Sequence, residues 1–484
     1  MQHPKVSVAD TAQPASPAAG FETVASSEGL HRQLSQRQLS MIAIGGAIGV
    51  GLFLGSSVTI QLAGPGVILS YLLGAAITVV VAYALAEMVV VHPVAGSFGV
   101  YAERYLSPWA GFCVRATYGL IQIIAVGAEV TAVAIYMSFW FPTIPGWIWV
   151  ACASLGLVMI NSLQVGWFGE FEYWFALIKV VAIVIFVIVG ALLIFGLTSS
   201  RAIGFSNLTA HGGFLPHGWT GVWLALTLVI TSYMGVEVIA VTAGEAQHPE
   251  ESVPTAMRSI LFRLVLFYVL AITVVLAMSP WDQTGAAGIT ASPFVRAFTA
   301  VRVPYAATVM NLVVITAALS SANTNLYLTT RMLFSLSRGR YAPAWIGQLS
   351  ATGVPRAALA VSTGGMIAAI FLAVYAPQRA FLLLYGTAVA GMFFVWLVVL
   401  ATHLRFRRAL GPERVAALPL RLPLHPLPTV LGLVFLLGIA SSTFFVRGLE
   451  YTVPTFAVFL AAITLAYRFQ SQRQMKAVVE NSIQ

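Results

Sequence analysis

Apolar runs long enough to cross a bilayer recur along almost the whole chain, and nothing else in the sequence limits its fold so sharply. A spanning helix advances 1.5 Å per residue through a hydrocarbon layer about 30 Å thick, so it needs about 20 mostly apolar residues. Roughly twelve such windows occur, near residues 39–63, 67–91, 109–140, 147–166, 172–197, 219–245, 257–280, 305–335, 357–376, 380–403, 428–446 and 450–468. They are long and continuous, not short and alternating, which argues against a β-barrel. Composition agrees: 8% of residues are charged, against about 25% in soluble domains, and mean hydropathy is +0.89. The expected fold class is an all-α integral membrane protein with about twelve transmembrane helices.

A net charge of +9 would suit a nucleic-acid partner, but its distribution describes topology instead. With the N-terminus in the cytoplasm, most arginines fall on the cytoplasmic side, including Arg32, Arg37, Arg104, Arg258, Arg263, Arg338, Arg340, Arg356 and the cluster Arg405, Arg407, Arg408, Arg414, Arg421. Arg201, Arg296, Arg302, Arg379 and Arg447 fall outside. This positive-inside bias puts both termini in the cytoplasm, with lipid and not nucleic acid as the partner. Residues 1–30 are rich in Ala, Ser, Pro and Gly and are expected to be a disordered tail. No cleavable signal peptide is expected. The remaining expected division is a ten-helix core over 31–403, a basic cytoplasmic loop over 404–427, two peripheral helices over 428–468 and a tail over 469–484. Cys113 and Cys152 fall in or near predicted helices and are expected to be buried small residues, with no disulfide or metal.

Two spans carry interruptions. The first reads SMIAIGGAIGVGLFLGSS, with Gly45, Gly46, Gly49 and Gly51 in its middle; the sixth reads LVITSYMGVEVIAVTAGEAQHP, with Gly235 beside Glu237. Intramembrane glycine serves either close helix packing or a helix break that opens backbone groups to a cavity. Interruptions five spans apart match a 5+5 inverted repeat, here about 39–197 and 219–403, whose broken helices face each other at mid-membrane and form the binding site.

SMIAIGGAIGVGLFLGS, AGSFGVYAERYLSPWAGF, FGEFEYWFALIKV, GVEVIAVTAGEAQHP and SSANTNLYLTTRMLFSLSRGRYAPAW resemble, in order and placement, the signatures of bacterial amino-acid permeases of the amino acid–polyamine–organocation superfamily. The resemblance covers roughly residues 30–470. It implies the leucine-transporter-like fold with two extra C-terminal helices, a bacterial inner (plasma) membrane setting, and uptake of an amino acid, usually coupled to protons. No cofactor is implied.

A zwitterionic amino acid at mid-membrane needs partners for both charges. Broken helices supply them: free N–H groups for the carboxylate and free C=O groups for the ammonium. The expected carboxylate site is the amides of Gly49, Val50 and Gly51, and the ammonium site is carbonyls near Ile44–Gly45 and Tyr233–Met234, with Gly46 and Gly235 alongside. Relatives often carry Thr or Ser at position 50, so valine there removes a side-chain hydroxyl. Tyr233 is either a lid or a packed aromatic. Glu129 in span three either faces the pocket or pairs structurally. With no other clear pocket carboxylate, a neutral substrate is favoured over a cationic one.

A carboxylate at mid-membrane costs about 2.5–3.5 kcal/mol on insertion scales, so Glu237 is read as a proton-coupling residue, the alternative being a permanently protonated acid that hydrogen-bonds a backbone carbonyl of the broken first helix. Glu245, near the cytoplasmic end, is a gating group, a solvated helix end or a partner for Arg258. Lys179 stands alone in an apolar helix; the chain's other lysines are Lys5 and Lys476. Depth alone leaves snorkelling open. The resemblance implies instead an inward lysine standing where sodium-coupled relatives hold their cation, against carbonyls near Ala43–Gly46 and the hydroxyls of Ser320 or Ser321. The expected function is proton symport of an amino acid by alternating access. An exchanger and a membrane amino-acid sensor are the alternatives. An enzyme is not expected, since no span carries a catalytic set.

Overall fold

Backbone polar groups in hydrocarbon must find partners within the chain, and helices do this locally. The computed structural model describes residues 34–94, 96–163, 165–197, 202–248, 251–257, 265–286, 292–300, 305–376, 380–446 and 448–483. Among these residues there is no strand beyond an isolated bridge between Leu34 and Ala246. The helices are α1 (Gln36–Ala47), α2 (Ser56–Ala63), α3 (Val67–Val91), α4 (Ser97–Tyr105), α5 (Pro108–Met137), α6 (Gly146–Asn161), α7 (Val165–Ile194), α8 (Gly218–Ser232), α9 (Val238–Thr242) and α10 (Ala271–Met278). They continue with α11 (Trp281–Ala286), α12 (Pro293–Ala300), α13 (Ala306–Arg338), α14 (Arg356–Ser362), α15 (Gly364–Tyr375), α16 (Ala380–Leu410), α17 (Pro412–Ala416), α18 (Leu427–Ser442) and α19 (Thr452–Ile483). The expected tail 1–30, Arg32, Arg201, Arg258, Arg263, Arg302, Arg379 and Arg447 lie outside the described residues.

Eight helical stretches among the described residues are long and apolar enough to cross a membrane, and Gly146–Asn161, Gly218–Ser232 and Phe267–Met278 are shorter apolar helices. The count of long helices falls below the number of apolar windows because some windows are not continuous helix. The first window splits into α1 and, after a break at Ile48–Gly49, a π-helical turn Gly51–Gly55 that runs into α2. The sixth splits into α8 and α9 around turn residues 233–237. Gly235 there has φ +108°, a conformation closed to most side-chain-bearing residues. Ser35 starts α1 with a reciprocal cap, its hydroxyl accepting from the Gln38 amide.

Between the second and third apolar windows lies α4, which buries Phe98 and Tyr101 because its apolar residues share one face. The basic loop 404–427 begins inside a helix, since α16 continues to Leu410, and its later part folds back to bury Leu420 and Leu422. The tail 469–484 is helical to Ile483, as an extension of α19. Cys152 is exposed, on the outer face of α6; Cys113 is buried.

α5, α13 and α16 form the buried centre, with α1 packed against α7 and α13. α19 lies at the perimeter and fully buries almost none of its apolar window. The two broken segments meet: a Cβ on Gly46 would lie 3.0 Å from Val238 and 3.5 Å from the Gly235 carbonyl.

Candidate functional site

The break after α1 leaves carbonyls at the negative end of a half-helix. Ile48 leaves the helix with φ −105° and ψ 91°. Lys179, on α7 and fully buried, reaches these carbonyls. Its Nζ donates to the Gly45 carbonyl at 2.5 Å, the Ile48 carbonyl at 3.0 Å and Ser320 Oγ at 2.8 Å. Three acceptors match the three N–H donors of an ammonium. The side chain therefore points inward, not back to the interface as snorkelling would have it.

The Ser320 hydroxyl on α13 in turn donates a hydrogen bond to Glu172 Oε1, linking Lys179 to a second buried group through one hydroxyl. Glu172 Oε2 also accepts from Asn323 Nδ2 at 3.4 Å, and Asn161 Nδ2 donates to Asn323 Oδ1 at 2.7 Å. Glycine at position 45 makes the arrangement possible, because a Cβ there would fall 2.8 Å from Glu172 Oε1 and 2.8 Å from the Ala176 methyl. Glu172 and its asparagines were not singled out from sequence. The available signal was spacing, since Glu172 and Lys179 are seven residues apart and seven residues return to the same helical face.

Next to this relay lies a cavity of about 40 Å³ lined by Gly46, Gly49, Gly51, Glu129, Met234 and Ser321, with Asn325 and Thr231 as further polar groups. A water's share of liquid volume is about 30 Å³, so these walls must separate before an amino acid fits. Glu129 Oε1 accepts from Ser321 Oγ at 2.8 Å, while Oε2 has no hydrogen-bond partner among the described residues. A Cβ on Gly49 would sit 2.7 Å from Ser321 Oγ and 3.1 Å from Glu129 Oε1. The glycines of the first span thus serve both close packing and the helix break. Val50 is buried where the helix restarts, and Ile44 lies in the last turn of α1.

Glu237 ends the sixth-span break and is fully buried. It accepts from the Gly235 amide at 3.1 and 3.2 Å and from the Tyr118 hydroxyl at 3.1 Å. Tyr233, expected as a lid or a packed aromatic, is packed: its hydroxyl donates to the Tyr71 carbonyl at 2.8 Å and its ring lies against Tyr71 and Tyr268. Met234 lines the cavity instead. The Gly45 carbonyl, expected to serve either the substrate ammonium or Lys179, holds Lys179.

Glu245 is not a solvated helix end, and Arg258, its other expected partner, lies outside the described residues. Glu245 is fully buried, accepts from Arg331 Nε at 2.5 Å and Nη2 at 3.1 Å, and accepts from Tyr327 at 2.8 Å. The Arg331 guanidinium also lies 4.0 Å over the Tyr327 ring. The chain entering α1 joins this knot, because the Leu34 amide donates to the Glu245 carbonyl at 3.0 Å. Arg37 and Gln38 both donate to Glu170 on α7 at 2.8 Å. Arg331 was missed because an arginine near a helix end reads as an interfacial residue, and its partner lies far away in sequence.

Residues 38–471 match the family described as amino acid permease. Among curated proteins, the chain is 42% identical over 409 residues to an uncharacterized amino acid permease of Bacillus subtilis, covering 84% of this chain and 88% of that one. It is 38% identical over 451 residues to the gamma-aminobutyric acid permease of the same organism, covering 93% and 96%. It is 37% identical over 453 residues to an aromatic amino acid transport protein of Escherichia coli, covering 93% and 98%.

Proposed function

The chain belongs to the amino acid permease family, and on that premise we propose that it is a secondary transporter that imports a neutral amino acid together with protons, by alternating access across the plasma membrane. Family and relatives are permeases, not enzymes. Twelve crossings follow if the stretch Gly51–Val91 is counted as two, bent at the Gly64–Gly66 turn, and the three shorter apolar helices are added to the long ones. That count returns the arginine-rich ends to the cytoplasm and leaves both termini there.

The observation that carries the coupling proposal is Lys179, a buried cation held on the carbonyls of the broken first helix. Charged, it ties α7 to α1 and to Ser320 on α13; neutral, it releases them. Glu172, reached through Ser320, accepts the same hydroxyl that Lys179 uses, so the two groups change state together. Glu237 bridges the sixth-span break to Tyr118 on α5 and is the second proton-coupling group. Substrate carboxylate takes the first-turn amides of Gly49, Val50 and Gly51, and the unpartnered Glu129 Oε2 takes the ammonium. The knot of Glu245, Tyr327, Arg331 and Leu34 is the inner gate, since opening toward the cytoplasm must separate α1 from α13 there.

Uptake of radiolabelled alanine, phenylalanine and γ-aminobutyrate into proteoliposomes under an inward proton gradient tests this reading. Lys179→Ala should lose gradient-driven accumulation at least twentyfold while still binding substrate. Full accumulation by that variant would remove Lys179 from the coupling.

A further inference from the structure

A second and larger cavity lies away from the Glu129 site. It has a volume of about 430 Å³ and sits between the end of α5, the end of α10, α11, α12 and the start of α13. Its size falls within the roughly 300–1,000 Å³ range of small-molecule pockets. Three features define its chemistry. Arg296 on α12 is the sole charged side chain among its described lining residues. One guanidinium N–H of Arg296 is held by the Gln283 carbonyl, which aims the group and leaves further donors of its five. Tyr136 is buried, and its hydroxyl has no hydrogen-bond partner among the described residues. Buried Asn311 and the Ser279 and Ser292 hydroxyls complete a wall of neutral polar groups.

A lone guanidinium beside an unsatisfied hydroxyl, with no carboxylate among the described lining residues, recognises a carboxylate, which it can bind with two parallel N–H donors. Position supplies the rest. Tyr136 lies seven residues beyond Glu129 on α5 and so on the same helical face, about 10 Å farther along the axis. The cavity therefore stands over the Glu129 cavity, on the side that the topology above makes external.

We propose that this cavity is an outer loading site, in which Arg296 and the Tyr136 hydroxyl hold the carboxylate of an incoming amino acid before it passes to the Glu129 cavity. The role as a loading step rests on the permease reading; carboxylate recognition by the cavity does not. Two arms separate them. In the first, saturation-transfer NMR uses acetate as probe with the full chain in nanodiscs. Transfer to the acetate methyl is expected in the wild type and in Glu129→Gln. It should be at least fivefold weaker in Arg296→Gln, with Tyr136→Phe intermediate. Equal transfer in wild type and Arg296→Gln overturns the site. Displacement of acetate by inorganic phosphate but not by alanine, phenylalanine or γ-aminobutyrate overturns the loading role and leaves a general anion site. In the second arm, Arg296→Gln should raise the KM of the transported amino acid about tenfold with the maximal rate within twofold of wild type. Arg296→Lys should recover part of that loss. An unchanged KM overturns the loading step, even if proton coupling holds.

Discussion

The arginine-rich end of the molecule and its centre bury carboxylates in opposite ways. At the arginine-rich end each meets a guanidinium, Glu245 with Arg331 and Glu87 with Arg407, and the partly exposed Glu103 likewise pairs with buried Arg115. Glu87 is further held by His403 at 2.9 Å and by the Leu422 amide at 2.6 Å, which pins the loop after α16 onto α3. At the centre, Glu129, Glu172 and Glu237 meet hydroxyls, amides and backbone N–H groups, and Lys179 meets carbonyls and Ser320. No direct ion pair joins these four among the described residues. The difference suits two tasks. A buried ion pair fixes elements until both partners move together, because leaving either charge alone is costly. A charge held by neutral dipoles can gain or lose a proton without stranding an opposite charge beside it.

The largest expected effect breaks the first half of this contrast. Arg331→Met leaves Glu245 buried without its guanidinium and should destabilise the fold by about 3–5 kcal/mol, read as a fall in thermal unfolding temperature. Arg331→Met combined with Glu245→Leu should recover much of the loss. A single variant as stable as wild type would remove the pair from the gate. A smaller effect is expected at the centre from Gly49→Ala, whose Cβ must displace Ser321 and Glu129. Overpacking of this kind costs about 1–3 kcal/mol, and binding of the transported amino acid should weaken at least tenfold. Glu237→Gln keeps the shape of its site and should flatten the pH dependence of uptake severalfold; an unchanged profile would make Glu237 structural.

The smallest effect concerns the link between the two regimes. His92, between α3 and α4, bonds Tyr105 at 2.6 Å. Burial, aided by the charge of Arg104, lowers its pKa from 6.5 to about 4. Between those values the unfolded chain binds the proton that the folded one refuses, so stability falls as pH drops below about 6.5, by at most about 1.4 kcal/mol per pH unit. His92→Gln should reduce that slope in thermal melts between pH 7 and 5, and an unaltered slope would assign it to other groups.

The apolar windows, the two helix breaks and the anomaly of Lys179 are legible in sequence because each is a local departure from composition or periodicity. The rest is not local. Glu245 meets Arg331 across 86 residues, and Glu87 meets Arg407 across 320, so neither pairing leaves a trace in either segment. Tyr233 reads as a lid or as filler until Tyr71 and Tyr268 are seen around it. Glu172 is the intermediate case, since its face could be derived from Lys179 but its partners Ser320 and Asn323 come from another helix.

Substrate-driven proton entry distinguishes a titrating Lys179 from a fixed one. Purified protein is reconstituted in liposomes that contain a pH dye and no internal amino acid, and the transported amino acid is added outside. Prompt internal acidification is expected in the wild type and none in Lys179→Ala. Substrate entry into wild-type vesicles without acidification would contradict proton coupling and leave Lys179 a fixed structural charge.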